Sequence, residues 1–276
     1  MHYFTDSHCH LTYPREDNLS VDFLIKEARS HKVESMLCIS TTHDTFPEIQ
    51  RVARENKSVF ASYGIHPNHV REEKRPDALI QAAMRSAAQE PTVVALGETG
   101  LDYHHNYAPK ERQQELFRLH LAMGRELGLP VIIHTRDAEE DTMTILKEAF
   151  DLGTPPSSIV LHCFTGSQHL ADFAIKHGVY LSASGVITFK NAPELQRIFA
   201  KVPDDLLLIE TDTPYLAPIP HRGKPNRPAY VVRVAEKLAV LRHQDVTEIA
   251  RITSENFLKL CPKATTNRVE SDTQAN

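Results

Sequence analysis

The chain has 276 residues, with 31 Lys plus Arg against 36 Asp plus Glu and a formal net charge of −5. That length fits one large α/β domain or two smaller ones. The acidic balance excludes a protein that wraps duplex DNA by charge alone, so any nucleic-acid contact must come from a local patch. Hydrophobic residues make up 41%, enough for a sizeable core. Cys9, Cys38, Cys163 and Cys261 form no CxxC pair and suit a reducing compartment. Asp6 and His8 precede any long apolar run, so no signal peptide is expected. No segment approaches the roughly 18 uninterrupted apolar residues of a membrane span. The expectation is a soluble, cytoplasmic protein with no membrane partner.

In chain order, short β-rich apolar runs predict strands at Tyr3–His8, Ser35–Ser40, Val59–Gly64, Val93–Gly97, Val131–His134, Ile159–His162, Val179–Ser182 and Leu206–Glu210. Helical spacing lies between them. It runs over 21–28, then over Lys110–Leu127 with Leu116, Leu119, Ala122, Met123 and Leu127 on one stripe, and last over Val246–Leu260 against the exterior. Gly128 and Gly178 supply helix stops. Strand–helix alternation of this kind predicts a (β/α)8 TIM barrel. The competitor, a doubly wound open sheet, usually places a glycine-rich phosphate loop after the first strand; here that position holds His8-Cys9-His10. No internal repeat or Ser/Gly linker appears, so one domain is expected over 1–262, with 263–276 a polar, disordered tail.

A barrel gathers its chemistry at the carboxyl ends of its strands. Those ends carry His8 and His10, His66, Glu98, His134 and Arg136, His162, and Glu210 with Asp212. Period-two alternation puts His8 and His10 on one face and Cys9 on the other. A single strand-end histidine is more often a hydrogen-bonded structural group, and an Asp before Thr-Pro is often a turn or cap. The joint occurrence is what points to metal. Nitrogen and oxygen donors suit Zn²⁺, Mn²⁺ or Fe²⁺, and carboxylate plus water admits Mg²⁺. The expected arrangement is two divalent ions: His8, His10, Glu98 and Asp212 on one, and Glu98, His134 and His162 on the other, with Glu98 bridging.

Six ordered segments carry a family resemblance: Asp6-Ser7-His8-Cys9-His10-Leu11, Gly64-Ile65-His66-Pro67, Gly97-Glu98-Thr99-Gly100-Leu101-Asp102-Tyr103, Pro130-Val131-Ile132-Ile133-His134-Thr135-Arg136, Leu161-His162-Cys163-Phe164-Thr165-Gly166 and Ile209-Glu210-Thr211-Asp212-Thr213-Pro214-Tyr215-Leu216. In these the chain resembles the TatD-like deoxyribonucleases, within the wider amidohydrolase-type barrels. The resemblance implies a (β/α)8 fold, two divalent cations (Mg²⁺ or Mn²⁺, with Zn²⁺ possible) and the same ligand positions. It also implies hydrolysis of phosphodiesters in DNA by 3′-to-5′ trimming of single strands. The His104-His105-Asn106 stretch departs from the pattern.

On that footing Glu98 and Asp212 are the expected catalytic residues, with Asp212 doubling as general base. His66 and Arg136 are assigned to phosphate contact, although Arg136 has Asp137 and Glu139 nearby as ion-pair candidates. Tyr103 and Phe164 are candidates for stacking a terminal base. Arg222 and Lys224, on the proline-rich loop 218–228, are candidates for the nucleic-acid backbone. A monomer is expected. Two rivals are kept: a hydrolase of the same barrel acting on a small amide, lactone or phosphoester (a phosphotriester, for example), and a non-catalytic nucleic-acid-binding protein with a structural metal.

Overall fold

The computed structural model describes residues 3–105 and 107–265. The strands are β1 (Phe4–Cys9), β2 (Val33–Cys38), β3 (Val59–Tyr63), β4 (Val93–Asp102), β5 (Val131–Arg136), β6 (Ile159–Leu161), β7 (Tyr180–Ala183) and β8 (Leu207–Ile209). The helices are α1 (Val21–Ser30), α2 (Phe46–Glu55), α3 (Asp77–Ala88), α4 (Lys110–Leu127), α5 (Glu139–Asp151), α6 (Gln168–Lys176), α7 (Pro193–Phe199), α8 (Val231–Arg242) and α9 (Val246–Leu260). The strands follow chain order in one eight-stranded sheet. Strand–helix alternation in that order is the (β/α)8 topology. No helix among the described residues is long and apolar enough to cross a membrane.

By contact density the described residues fall into two compact units, 3–38 with 162–259 and 39–161 with 260–265. In the first, β1 pairs in parallel with β2 (Asp6 opposite Met36) and β7 with β8 (Ala183 opposite Ile209). β1 is also tied to the β8 segment: Ser7 Oγ donates to Ile209 O (2.9 Å), the Asp212 amide to His8 O (2.9 Å) and the His10 amide to Thr213 O (3.0 Å). Helix α9 is fastened to the amino ends of these strands. Its Asn256 amide donates to Leu207 O (2.9 Å) and its Ser254 hydroxyl to Tyr3 O (2.9 Å).

In the second unit β3, β4, β5 and β6 pair in parallel succession. β4 is buried at every position and runs to Asp102, five residues past its predicted end. Such continuous burial is what a parallel strand flanked on both faces requires. Gly100 sits at φ +132°, and a Cβ there would run into the His134 carbonyl, so this register needs glycine. The turn after α9 belongs to this unit. Residues 262–265 are helical, Ala264 is buried, and Lys263 Nζ donates to Ala88 O (2.7 Å) and Glu90 O (2.6 Å). The expected tail therefore begins later than residue 263; its remainder, 266–276, lies outside the described residues.

Helix α4 has its predicted bounds and ends on Gly128 in the left-handed region (φ 66°). Its buried face is turned from the expected stripe. Ala122 is exposed, while Phe117, His120 and Leu121 are buried. A histidine is tolerated there because both ring nitrogens are used: the Ile65 amide donates to Nε2 (3.2 Å) and Nδ1–H donates to Leu116 O (2.7 Å). Burial lowers the His120 pKa to about 4, the Leu116 carbonyl opposing only in part.

The unfolded histidine titrates near 6.5, so between there and about 4 the unfolded chain takes up a proton that the folded chain refuses. The stabilisation is full above pH ~6.5 and is lost as pH falls toward 4, of order 3 kcal/mol in all. Urea unfolding at pH 7 and pH 4.5 should show this loss in the parent, and a visibly smaller pH dependence in His120→Gln.

Candidate metal centre

Within the first unit, alternation along β1 carries His8 and His10 to one face, with Nε2 atoms 3.3 Å apart. Asp212, in the left-handed region at φ 55°, brings Oδ1 to 3.7 Å from His8 Nε2 and 3.4 Å from His10 Nε2. Donors bound at about 2.0–2.1 Å in a tetrahedron stand about 3.3–3.4 Å apart. The three edges of this triangle therefore fit one small divalent ion. Burial alone would raise the Asp212 carboxyl, but the hydrogen bond with His10 and the nearby His8 and His162 outweigh it and hold the group below its ordinary range. It is a carboxylate at neutral pH.

His162 stacks on His8 (3.8 Å between ring centroids, 8° between planes). Its Nδ1 lies 3.3 Å from Glu210 Oε1, which also accepts the Cys163 amide (2.7 Å). A carboxylate facing Nδ1 places the ring proton there and leaves a lone pair on Nε2. Glu210 is fully buried, and its Oε2 has no hydrogen-bond partner among the described residues. A buried carboxylate oxygen left so is costly unless a cation answers it. His8, His162 and Glu210 each bring one donor atom to within 4.8 Å of the others.

Beneath them Asp6 accepts from the Thr211 amide (2.9 Å) and hydroxyl (2.6 Å), fixing the residue between Glu210 and Asp212. Burial pushes the Asp6 carboxyl well up, against the pull of Thr211. Asn226, also buried, donates to Thr211 O (2.8 Å) and Tyr215 O (2.7 Å) and ties the loop after β8 to the same turn.

The second unit carries its own donor cluster. Glu98, buried on β4, brings Oε1 to 3.1 Å from His134 Nδ1 and 3.3 Å from His66 Nε2. The two histidines differ in the partners of their ring nitrogens. His134 meets a carboxylate at each ring nitrogen, Asp102 Oδ2 at Nε2 (3.2 Å) and Glu98 Oε1 at Nδ1, and a cation taken at Nδ1 would leave the proton on Nε2. His66 Nδ1 accepts the Asn68 amide (3.0 Å), so the neutral ring carries its proton on Nε2. Burial lowers the His66 pKa to about 4 despite Glu98, so the ring is neutral at neutral pH.

Asp102 is held by the amides of His104 (3.1 Å) and His105 (3.0 Å), by His105 Nδ1 (2.8 Å) and by Asn68 Nδ2 (3.1 Å). Burial opposes its charge, but these bonds and the one from His134 keep the carboxyl far below its usual range.

Of the residues singled out from sequence, His8, His10, His162 and Asp212 thus lie together in one unit, and His66, Glu98 and His134 in the other. Arg136 is exposed at the end of β5, and Asp137 turns instead to His104 Nδ1 (3.0 Å). The two stacking candidates need correction. Tyr103 donates its hydroxyl to Asp141 (2.6 Å), accepts from Gln114 (2.9 Å) and lies under Lys110 (4.1 Å), so its ring is taken up against α4 and α5. Phe164 is 2% exposed and packs edge-on against Phe199. Phe164 offers no face to a base, and Lys110 covers one face of Tyr103.

In the departing stretch, His104 and His105 hold Asp137 and Asp102; Asn106 lies outside the described residues. Arg222 and Lys224 are exposed, with Arg222 over the Phe189 ring (4.3 Å). Glu210, Asp102 and Asp6 had no assigned role. The available signal was that a metal-binding histidine needs an acceptor for its other ring N–H.

The chain matches the family described as TatD related DNase over residues 5–262. It is 43% identical over 262 residues to the uncharacterized metal-dependent hydrolase YcfH of Escherichia coli, covering 94% of this chain and 95% of that one. It is 34% identical over 251 residues to the 3′-5′ ssDNA/RNA exonuclease TatD of a Rahnella species, covering 89% and 92%. The crystal structure of YjjV, a TatD homologue from Escherichia coli, superposes with a TM-score of 0.84 at 29% identity, covering 94% of this chain and 98% of that one. The chain therefore belongs to the TatD-related DNase family and is a metal-dependent hydrolase with the (β/α)8 fold.

Proposed function

We propose that the protein hydrolyses phosphodiester bonds in single-stranded nucleic acid, trimming DNA from the 3′ end, with two divalent cations of the Mg²⁺ or Mn²⁺ type and Zn²⁺ as the alternative. The observation that carries the metal half of this reading is the triangle of His8 Nε2, His10 Nε2 and Asp212 Oδ1, with edges of 3.3 to 3.7 Å. The nucleic-acid half draws on the relative named as an ssDNA/RNA exonuclease. The proposed ligands are His8, His10, Glu98, His134, His162 and Asp212. When bound, such ions lower the pKa of water and neutralise charge developing on the phosphoryl oxygens.

The chain's own groups do the rest. Asp212, ionised and buried beside two imidazoles, accepts the proton of the attacking water. His66 donates Nε2–H to a non-bridging phosphate oxygen, its direction set by the Asn68 amide. Arg136, exposed at the end of its strand, presents a planar fork to the same phosphate. Glu210 and Asp102 keep His162 and His134 in the tautomers that face a cation. None of the four cysteines forms a disulfide, which agrees with the cytoplasm as the proposed compartment.

Metal content should be measured beside a substrate panel of labelled single-stranded DNA, RNA, nucleotides, a lactone and a phosphotriester. Cleavage of the DNA that stops in EDTA and returns with Mg²⁺ or Mn²⁺ is expected; turnover of the lactone or phosphotriester alone would overturn the nuclease reading. Asp212→Asn should lower kcat on DNA by about 10³-fold or more, with circular dichroism and Tm near those of the parent; equal rates would refute its role. Glu210→Ala and Asp102→Ala should each weaken divalent-cation affinity about 10- to 100-fold, read by competition with a chelating dye.

A further inference from the structure

The loop that begins at Asp212 has an unusual surface. Tyr215 is 55% exposed, Leu216 37% and Ile219 39%. Nowhere else among the described residues do three large apolar side chains stand exposed within five positions. Single exposed hydrophobics are ordinary, but a cluster marks a contact surface.

The exposure is not that of a loose loop. The Tyr215 amide donates to Asp212 O (3.0 Å), and Tyr215 O accepts from Asn226 (2.7 Å), whose own amide is bonded to Pro214 O (2.9 Å). Asn226 is buried and grips Thr211 with the same side chain. Tyr215 is therefore pinned to the turn that sets Asp212. An aromatic ladder leads from it to the donor cluster: His10 stacks on Tyr13 (4.4 Å, 20°), and Tyr13 meets Tyr215 edge to face (6.3 Å).

Along the loop after Asp212 the charged side chains have one sign. Between Asp212 and Glu236 the chain has no carboxylate side chain, but it carries Arg222, Lys224, Arg227 and Arg233. Arg227 is occupied by Glu27 (2.9 Å) and Asp17 (3.5 Å), whereas Arg222 and Lys224 are exposed. In a chain of net charge −5 this is the kind of local patch that an anionic polymer needs.

We propose that Tyr215 is the platform on which the unpaired terminal base of a single strand stacks, with Leu216 and Ile219 beside it and Arg222 and Lys224 holding the phosphates that follow. This rests on the nucleic-acid reading above and names its base subsite. It fills the role that the buried Phe164 cannot fill. An exposed ring on a loop that also carries cations takes any base by its face, so the subsite is tolerant of sequence but requires an end that is not paired.

The test uses 5′-labelled DNA and RNA oligonucleotides ending in either a normal or an abasic 3′ nucleotide. Binding is read by fluorescence anisotropy in EDTA and cleavage by kcat/KM with Mn²⁺. Tyr215→Ala should lower both affinity and kcat/KM about 5- to 150-fold on the normal end, the range of one lost base–aromatic stack. The abasic end should cost the parent a similar factor. The two losses should not multiply when variant and abasic end are combined, and Tyr215→Trp should restore most of the binding. A Tyr215→Ala loss equal on both ends, or no loss, would overturn the proposal and leave the patch as a protein-docking face. Base-dependent binding without cleavage would overturn the nuclease reading alone.

Discussion

Three hydrogen bonds between neighbouring segments set the chemistry of this protein. Ser7 to Ile209, the Asp212 amide to His8 and the His10 amide to Thr213 hold β1 beside the chain that leaves β8. With that backbone fixed, His8, His10 and Asp212 have no choice but to converge. Two imidazole nitrogens and a carboxylate oxygen stand 3.3 to 3.7 Å apart and largely removed from water, an arrangement that fits a cation. The buried Asp6, gripping Thr211, prevents the strand end from relaxing away from it.

Proton placement then divides histidines that look alike. His134, His162 and His66 all stand at strand ends beside carboxylates. Glu210 draws the proton of His162 to Nδ1, whereas His134 meets a carboxylate at each nitrogen, Asp102 at Nε2 and Glu98 at Nδ1. A backbone amide occupies His66 Nδ1, so the same kind of ring becomes a donor. The hydrogen bond on one side of such a ring decides what its other nitrogen can offer.

The fold and the donor residues could be read from the residues because both rest on local periodicity. Alternation along β1 is enough to place His8 and His10 on one face, and the strand–helix rhythm is enough to mark eight strands, with ends off by one to five residues. β4 was under-read because Glu98-Thr99-Gly100 looks like a polar turn; pairing with β5 through Asp102 opposite Arg136 carries the strand on. Glu210 and Asp102 escaped because their work is defined by a ring nitrogen on another strand. Adjacency to a donor residue in sequence does not say which way a ring points, as Tyr103 and Phe164 show. Gln114 and Asp141, on α4 and α5, captured the first, and Phe199 on α7 packed against the second. Tyr215 was overlooked for the converse reason: only the solid grip of Asn226 turns an exposed ring into a fixed surface.

The anchoring of Lys263 on Ala88 and Glu90 bears on how the molecule can be handled. Those carbonyls lie where α3 gives way to the amino end of β4, while Glu98 and Asp102 stand toward that strand's other end. A tether or fused cargo joined just after Thr265 therefore departs from the side that carries stability rather than reactivity. An enzyme immobilised there is held at the end of β4 opposite to Glu98 and Asp102.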